Sequence, residues 1–482
     1  MVKKFGLTLG SIPFLFFCLV LISSCSKGDS PTEKEPVGQT PEPEPEPEPD
    51  PEPPPYFTFT SYWTTEDTSE MDNWIIIHDS EGNLLDYKPY EGGDMVEFRA
   101  EDEEPTGKIT VTILQNEPYT YYFDVDGSSQ TCEGTETSAT TYPDIAIGSH
   151  WEKGRYIPSS VQPSPTPNNL GEFTLTLANV PGEYPILNNS GWNLDNDNAG
   201  NITTIKYIEF GHNNQATYDG GFTTVSTEQV KNWENSTYMM SVLHEDEGLK
   251  YLFFQNPEVG HDLTLDYADF QSFDSYSYLP AIPSNDDYTV ALRAFENENS
   301  FKTDVGYFCI YINDVNNGMQ IPFGYLDRFT HYRSDVRIVR DNTEYKYTLF
   351  GPKPDISSYP EKPSVSYTLE QINGFDLVTD LNYIRRIDNW ATPWPTSGEF
   401  CHSTRWSVVS NPQNYPVINE FPEELLTKYP DMAPLDEIEY SGSIFYIKGR
   451  DYAEHIRFEF DSYYDDTIQY GQEVESFWVK KE

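Results

Sequence analysis

From residue 56 onward one pattern recurs: short runs in which aromatic or β-branched residues take every second position, cut by Gly, Pro, Asn and Asp. Successive side chains on a strand point to opposite faces, so a period of two marks a strand with one face buried. Long apolar stripes at helical spacing do not occur. This combination excludes helical bundles and alternating α/β architectures and predicts an all-β chain. Strands are expected at 56–63, 73–78, 84–87, 95–99, 108–114 and 120–125, with Asp79-Ser80-Glu81-Gly82-Asn83 supplying a hairpin turn. Further strands are expected throughout the rest of the chain, among them 173–178, 202–210, 404–409, 437–447 and 455–460. Two short helices are expected. Ser226-Thr227-Glu228-Gln229 fits a capping box opening a helix to Trp233, and Pro422 followed by Glu423-Glu424 fits a helix start running to Lys428.

Strand spacing and turn residues give the domain organisation. Six strands within about 70 residues predict a small sandwich of immunoglobulin-like pattern. The Ser/Thr/Gly/Glu stretch 126–141 and the polar turn 283–287 are candidate boundaries. The expected architecture is two or three tandem β-sandwich domains, at 56–128, 129–284 and 285–482. Ahead of them, residues 41–55 form a Pro/acid repeat. Proline fixes φ and removes the N–H donor, and the carboxylates repel one another, so this segment is expected to be a disordered, extended tether. At about 3.1 Å per residue, its fifteen residues reach about 45 Å.

Lys3 and Lys4 precede an apolar run from Leu7 to Ile22, which is too short to span a membrane and has the length of a secretory signal. The run closes on Leu21-Ile22-Ser23-Ser24-Cys25, which resembles a bacterial lipobox. The resemblance implies cleavage after residue 24 and acylation of Cys25. Two or three acyl chains, at about 0.8 kcal/mol per buried methylene, would hold the protein on a membrane durably. Lipobox, acidic tether and Lys27-Gly28-Asp29 together resemble outer-membrane lipoproteins of the Bacteroides and Flavobacterium type. That resemblance covers about 55 residues and implies an outer-membrane location with exposure at the cell surface.

The formal net charge of −49 is concentrated in the body, where residues 56–482 carry −44. Such a field repels nucleic acid and anionic lipid, so nucleic-acid partners are excluded from the reading. Solubility in a salty exterior and calcium capture are two uses of this acidity. The nearest motif to a calcium loop is Asp195-Asn196-Asp197-Asn198-Ala199-Gly200-Asn201, with Asp195, Asp197 and Asn201 as candidate oxygen ligands. Ala199 and Lys206 break the pattern. No cofactor is expected beyond that calcium. His244-Glu245-Asp246-Glu247 reads as a solvated hairpin tip or a metal site.

Cys132, Cys309 and Cys401 remain once the signal and the lipidated cysteine are set aside. Three cysteines permit one disulfide, and buried thiols are the simpler expectation. Cys401 and His402 are neighbours, but neighbours on a strand face opposite ways, so the pair does not make an activated nucleophile. No catalytic residue is assigned. The 70 acids of the body make any carboxylate pair an arbitrary choice.

Aromatics give the remaining signal. Asn389-Trp390-Ala391-Thr392-Pro393-Trp394-Pro395 places two indoles in a proline-stiffened segment, with Arg405 and Trp406 beyond it. Exposed indoles stack on the apolar faces of sugar rings, whereas buried ones would plug a core. Trp390, Trp394, Arg405 and Trp406 are the candidate ligand-binding residues. The expected function is a surface-anchored, non-catalytic lipoprotein that binds extracellular polysaccharide. The alternatives are a surface hydrolase acting on glycans or peptides and a structural or assembly partner of an outer-membrane complex.

Overall fold

The computed structural model describes residues 53–481, apart from 64–70, 101–104, 126–127, 155–169, 180–216, 219–224, 231–236, 245–246, 256–257, 283–285, 303–305, 314–319, 370, 396–400 and 462–469. The candidate calcium loop with Asp195, Asp197 and Asn201, the strand expected at 202–210 and the tether at 41–52 lie outside the described residues. Residues Pro53–Glu482 form one compact unit, and it is all-β.

Its organising element is a twelve-stranded sheet. In chain order its strands are β1 (Asp72–His78), β2 (Leu84–Tyr90), β3 (Lys108–Val125), β4 (Ser128–Ala146), β5 (Asp287–Phe295), β6 (Tyr307–Asn313), β7 (His331–Arg340), β8 (Thr343–Leu349), β9 (Arg385–Ala391), β10 (Cys401–Ser410), β11 (Glu439–Lys448) and β12 (Glu473–Lys480). The order across the sheet is β6-β5-β7-β8-β12-β11-β9-β10-β4-β3-β1-β2. Neighbours are antiparallel except β4 and β10, which run parallel, Gly134 beside Cys401 through Thr141 beside Val408.

That parallel pair bears on the expected boundaries. A cut at 128/129 falls within the β3–β4 ladder, the longest in the sheet, at the first residue of β4, and 284/285 falls just before β5. Of the stretch 126–141 expected as a boundary, residues 128–141 are instead most of β4. Its threonines explain the difference: Thr131, Thr135, Thr137 and Thr141 are β-branched and suit a pleated surface, whatever their polarity. Strands expected separately at 108–114 and 120–125 are one strand, β3, continuous through Pro118.

The sheet is covered on both faces around β1. Ile75 and Ile77 point into a core with Phe57, Phe59, Phe98, Val111 and Trp151. Phe57 and Phe59 lie on the strand Phe57–Ser61, which pairs with Met95–Phe98 and, in parallel, with Ser149–Lys153. The helix Tyr452–Phe460 closes this side, its Phe460 ring stacked 4.0 Å from Trp151. Trp74 and Ile76 point the other way, into a core with Trp390, Trp406, Leu425 and Tyr429. A strand buried on both faces cannot show alternation, which is why 74–77 reads as an unbroken apolar run. At the opposite end of the sheet, Val290, Leu292, Val336 and Tyr345 share a third core with Met239, Leu279 and Phe323.

One expected helix is a strand, and one helix forms where a strand was expected. Ser226 and Gln229 lie in the strand Val225–Val230, antiparallel to Glu172–Ala178, and not in the expected helix. The helix instead forms at Tyr452–Phe460, where a strand was expected from 455. Asp451 caps it, accepting from the Glu454 N–H at 2.9 Å, and Glu454 returns the bond to the Asp451 N–H. A capping box stabilises a helix end only where no ladder claims the same backbone. The helix expected after Pro422 is present as Glu423–Lys428. The hairpin turn at 79–83 is present too, with the Asp79 carboxylate accepting from the Glu81 and Asn83 N–H groups and Gly82 at φ +91°.

One buried charge pair sits in the middle of the sheet. On β9, Arg386 Nε lies 2.6 Å from the fully buried Asp388 carboxylate, and Ser443 of β11 donates to the same carboxylate. Burial outweighs the guanidinium and pushes the Asp388 carboxyl up to about 6. The folded protein therefore holds this proton more tightly than the unfolded chain, whose value is about 3.9. The group's contribution to stability is full below about pH 4 and is lost as pH rises through about 6. Denaturant unfolding between pH 4 and 7 should contain this falling component. Asp388→Asn should remove it, so the stability difference between variant and wild type is largest near pH 4 and shrinks as pH rises through about 6.

Candidate functional site

The four candidate ligand-binding residues separate in the structure. Trp390 is the sixth residue of β9 and Trp406 the sixth of β10; they face one another across the ladder and are 1% and 2% exposed. Both belong to the core under β1, where the Trp406 indole N–H donates to Thr141 at 2.9 Å. Neither stands in an exposed platform with Trp394. The expectation of an exposed platform that includes them is corrected: the 389–395 segment is strand as far as Ala391, and strand alternation turns Trp390 inward beside Asp388.

Trp394 is different. It lies beyond the end of β9 and is 41% exposed. The chain is pinned just before it, since the Thr392 N–H donates to the Thr404 carbonyl at 2.9 Å and the Thr404 N–H donates to Thr392 Oγ1 at 3.0 Å. Pro393 and Pro395 restrict the backbone on either side of the indole. The ring meets two tyrosines of β3 edge-on, Tyr121 at 5.0 Å and Tyr119 at 6.1 Å between centroids. Arg405 lies over the indole, its guanidinium carbon 5.1 Å from the centroid, and Arg405 Nη2 is 3.3 Å from Glu136.

Sheet geometry explains why these residues meet. β3 and β4 continue past their neighbours: β1 follows β3 only to Asn116, and β10 follows β4 only from Gly134 onward. Residues 117–125 and 128–133 therefore form a two-stranded arm. On β3, Glu117, Tyr119 and Tyr121 occupy alternate positions and share one face. Opposite them on β4 stand Glu136, Gly134 and Cys132. Tyr121 is locked in place, its hydroxyl donating to the Thr135 carbonyl at 2.6 Å and lying 3.0 Å from Ser403 Oγ. Tyr119 stays partly open beside Trp394 and stands 4.8 Å from Tyr121, so the open face is made by Trp394 and Tyr119 with the buried Tyr121 behind them.

A disulfide holds the base of the arm. Cys132 and Cys401 are bonded, in place of the free thiols expected for two of the three body cysteines; Cys309 is the buried free thiol. The Cys401 sulfur is therefore not available as a nucleophile, and His402 points to the opposite, exposed side. Close approach of β10 to β4 also requires Gly134, because a β-carbon there would overlap the Cys401 carbonyl. Glu136 is mostly buried, and burial together with Glu117 outweighs the Arg405 guanidinium and moves its carboxyl above the usual range. The site thus combines one buried, hydrogen-bonded tyrosine, one open tyrosine, one open indole, a carboxylate and a guanidinium.

Other places considered from the sequence do not assemble in this way. His244 ends the strand Thr237–His244, is buried, and accepts from the Glu247 N–H at 3.2 Å. Among the described residues, no three His, Cys, Asp or Glu side chains converge as a metal would need. Two recesses occur elsewhere. One of about 260 Å³ is walled by Trp406, Phe421, Leu426 and Met432, and one of about 630 Å³ lies between Asp144, Asn411 and the start of the helix Tyr452–Phe460.

No protein-family model matches this chain, and no curated protein matches it.

The disulfide closes a loop of 269 residues. Long loops gain most from closure in the chain-entropy account, typically about 2–4 kcal/mol and up to about 5. Cys401→Ser should lower unfolding stability by about that much in urea, and dithiothreitol should lower the wild type to the same level without further effect on the variant.

Proposed function

We propose that this protein is a lipid-anchored surface lipoprotein that binds extracellular polysaccharide at the Trp394 platform without cleaving it. The observation that carries the reading is the exposed indole held edge-on against Tyr119 and Tyr121 with Arg405 and Glu136 beside it. An open ring on a pre-arranged support stacks on the apolar face of a sugar and loses little conformational freedom in doing so. The guanidinium and carboxylate alongside offer donors and acceptors for hydroxyl groups. On this reading Cys25 carries the lipid, residues 26–55 space the body from the membrane, and the protein faces outward from the outer membrane.

A second reading, hydrolysis, is favoured by one feature of the same face. Glu117 and Glu136 stand directly opposite on adjacent strands. Environments that separate the proton affinities of two carboxyls are what an acid/base pair needs, and burial moves Glu136 upward. Released reducing ends separate the two readings.

Two outcomes are expected. In native gels cast with plant, algal and host polysaccharides, the protein is retarded without releasing reducing ends, and Trp394→Ala weakens retardation about tenfold or more while leaving thermal unfolding close to wild type, since a tenfold loss needs about 1.4 kcal/mol of contact. Release of reducing ends that Glu136→Gln abolishes would establish the hydrolase instead. For the anchor, metabolic labelling with palmitate should mark the wild type and not Cys25→Ser, which should leave the membrane fraction; a labelled variant would overturn this assignment.

A further inference from the structure

Resting on the platform reading above, we propose that the polysaccharide taken at Trp394 is uncharged, and that glycans bearing carboxylate or sulfate groups are turned away there. Charge placement carries the argument. The cation over the indole is Arg405, and its guanidinium is already 3.3 Å from Glu136. It has a counter-charge before any ligand arrives. Glu117 stands directly across the ladder from Glu136, on the strand face that also bears Tyr119 and Tyr121. The aromatic surface is therefore flanked by two carboxylates and one guanidinium.

An anionic sugar ring stacked on Trp394 would bring a second negative charge toward Glu117 and Glu136. Displacing Glu136 from Arg405 to accommodate it would leave a mostly buried carboxylate without its partner, which is costlier than losing an exposed one. The long-range field has the same sign, with −44 on residues 56–482. A neutral ring meets none of this. Its hydroxyls can donate to the carboxylates and accept from the guanidinium, so the same ion pair that repels a uronate serves a hexose. Glu117 and Glu136 thus act as selectivity groups, in the way that specific sites reject a competitor by placing like charge against it.

The test compares each polymer with its own charged derivative. The full mature chain, solubilised in detergent, is titrated with unsubstituted and carboxymethylated forms of the same glucan, mannan and xylan. The expected result is at least tenfold weaker binding of the carboxymethylated form at low ionic strength. The gap should narrow as salt is raised toward roughly 0.5 M, where the screening length falls to a few ångströms. Glu117→Gln should shift the ratio of charged to uncharged affinity toward the charged polymer by about threefold, the size of one partly screened charge interaction at this range. Equal or tighter binding of the carboxymethylated forms, or a ratio that Glu117→Gln leaves unmoved, would overturn the selectivity and leave the platform standing. Binding of neither form by the wild type would overturn the platform itself, and the selectivity with it.

Discussion

The parallel pairing of β4 with β10 is the constraint on which this architecture depends. It joins residues 134–141 to residues 401–408 and so makes one sheet of strands that come from opposite ends of the folded body. Parallel neighbours need a crossover between them. Here the crossover is everything between Ala146 and Cys401, including strands β5 to β9 of the same sheet. The Cys132–Cys401 bond and the glycine at 134 sit at the end of that ladder, so backbone contact and covalent link enforce a single register. Loop closure of this length is slow to find and cheap to keep once cross-linked.

This constraint also separates what could be read in the sequence from what could not. Local signals were legible: the period of two, the Asp79-Gly82 turn, the helix after Pro422 and the alternation of 173–178. Pairing partners were not, because nothing in residues 134–141 names 401–408 as a neighbour. The polar threonines of β4 made the segment look like a spacer, although half of a strand's residues need not be apolar. The two short-range helix signals show the same limit. Ser226 begins a capping box whose backbone is taken by a sheet partner, while Asp451 caps a helix at a place where a strand was expected.

The site was partly legible for the same reason. Proline-stiffened tryptophans suggested an exposed platform, and one of the three rings occupies it. Trp390 and Trp406 are drawn inward by strand parity, a property that follows only once the strand end at Ala391 is known. Tyr121 falls in the strand expected at 120–125 and Tyr119 just before it. Their role beside Trp394 depends on the arm extending past β1 and β10, which is a matter of tertiary register. Glu117 and Glu136 were two of many acids, and only the ladder puts them face to face.

The disulfide has one more consequence, for a chain exposed to proteases. Because it joins residue 132 to residue 401, a single backbone cut anywhere between them would divide the polypeptide without separating its parts. The segment that carries Cys132 and the segment that carries Cys401 would remain one covalent body. A nick in that interval is a change of gel pattern under reducing conditions before it is a loss of molecule.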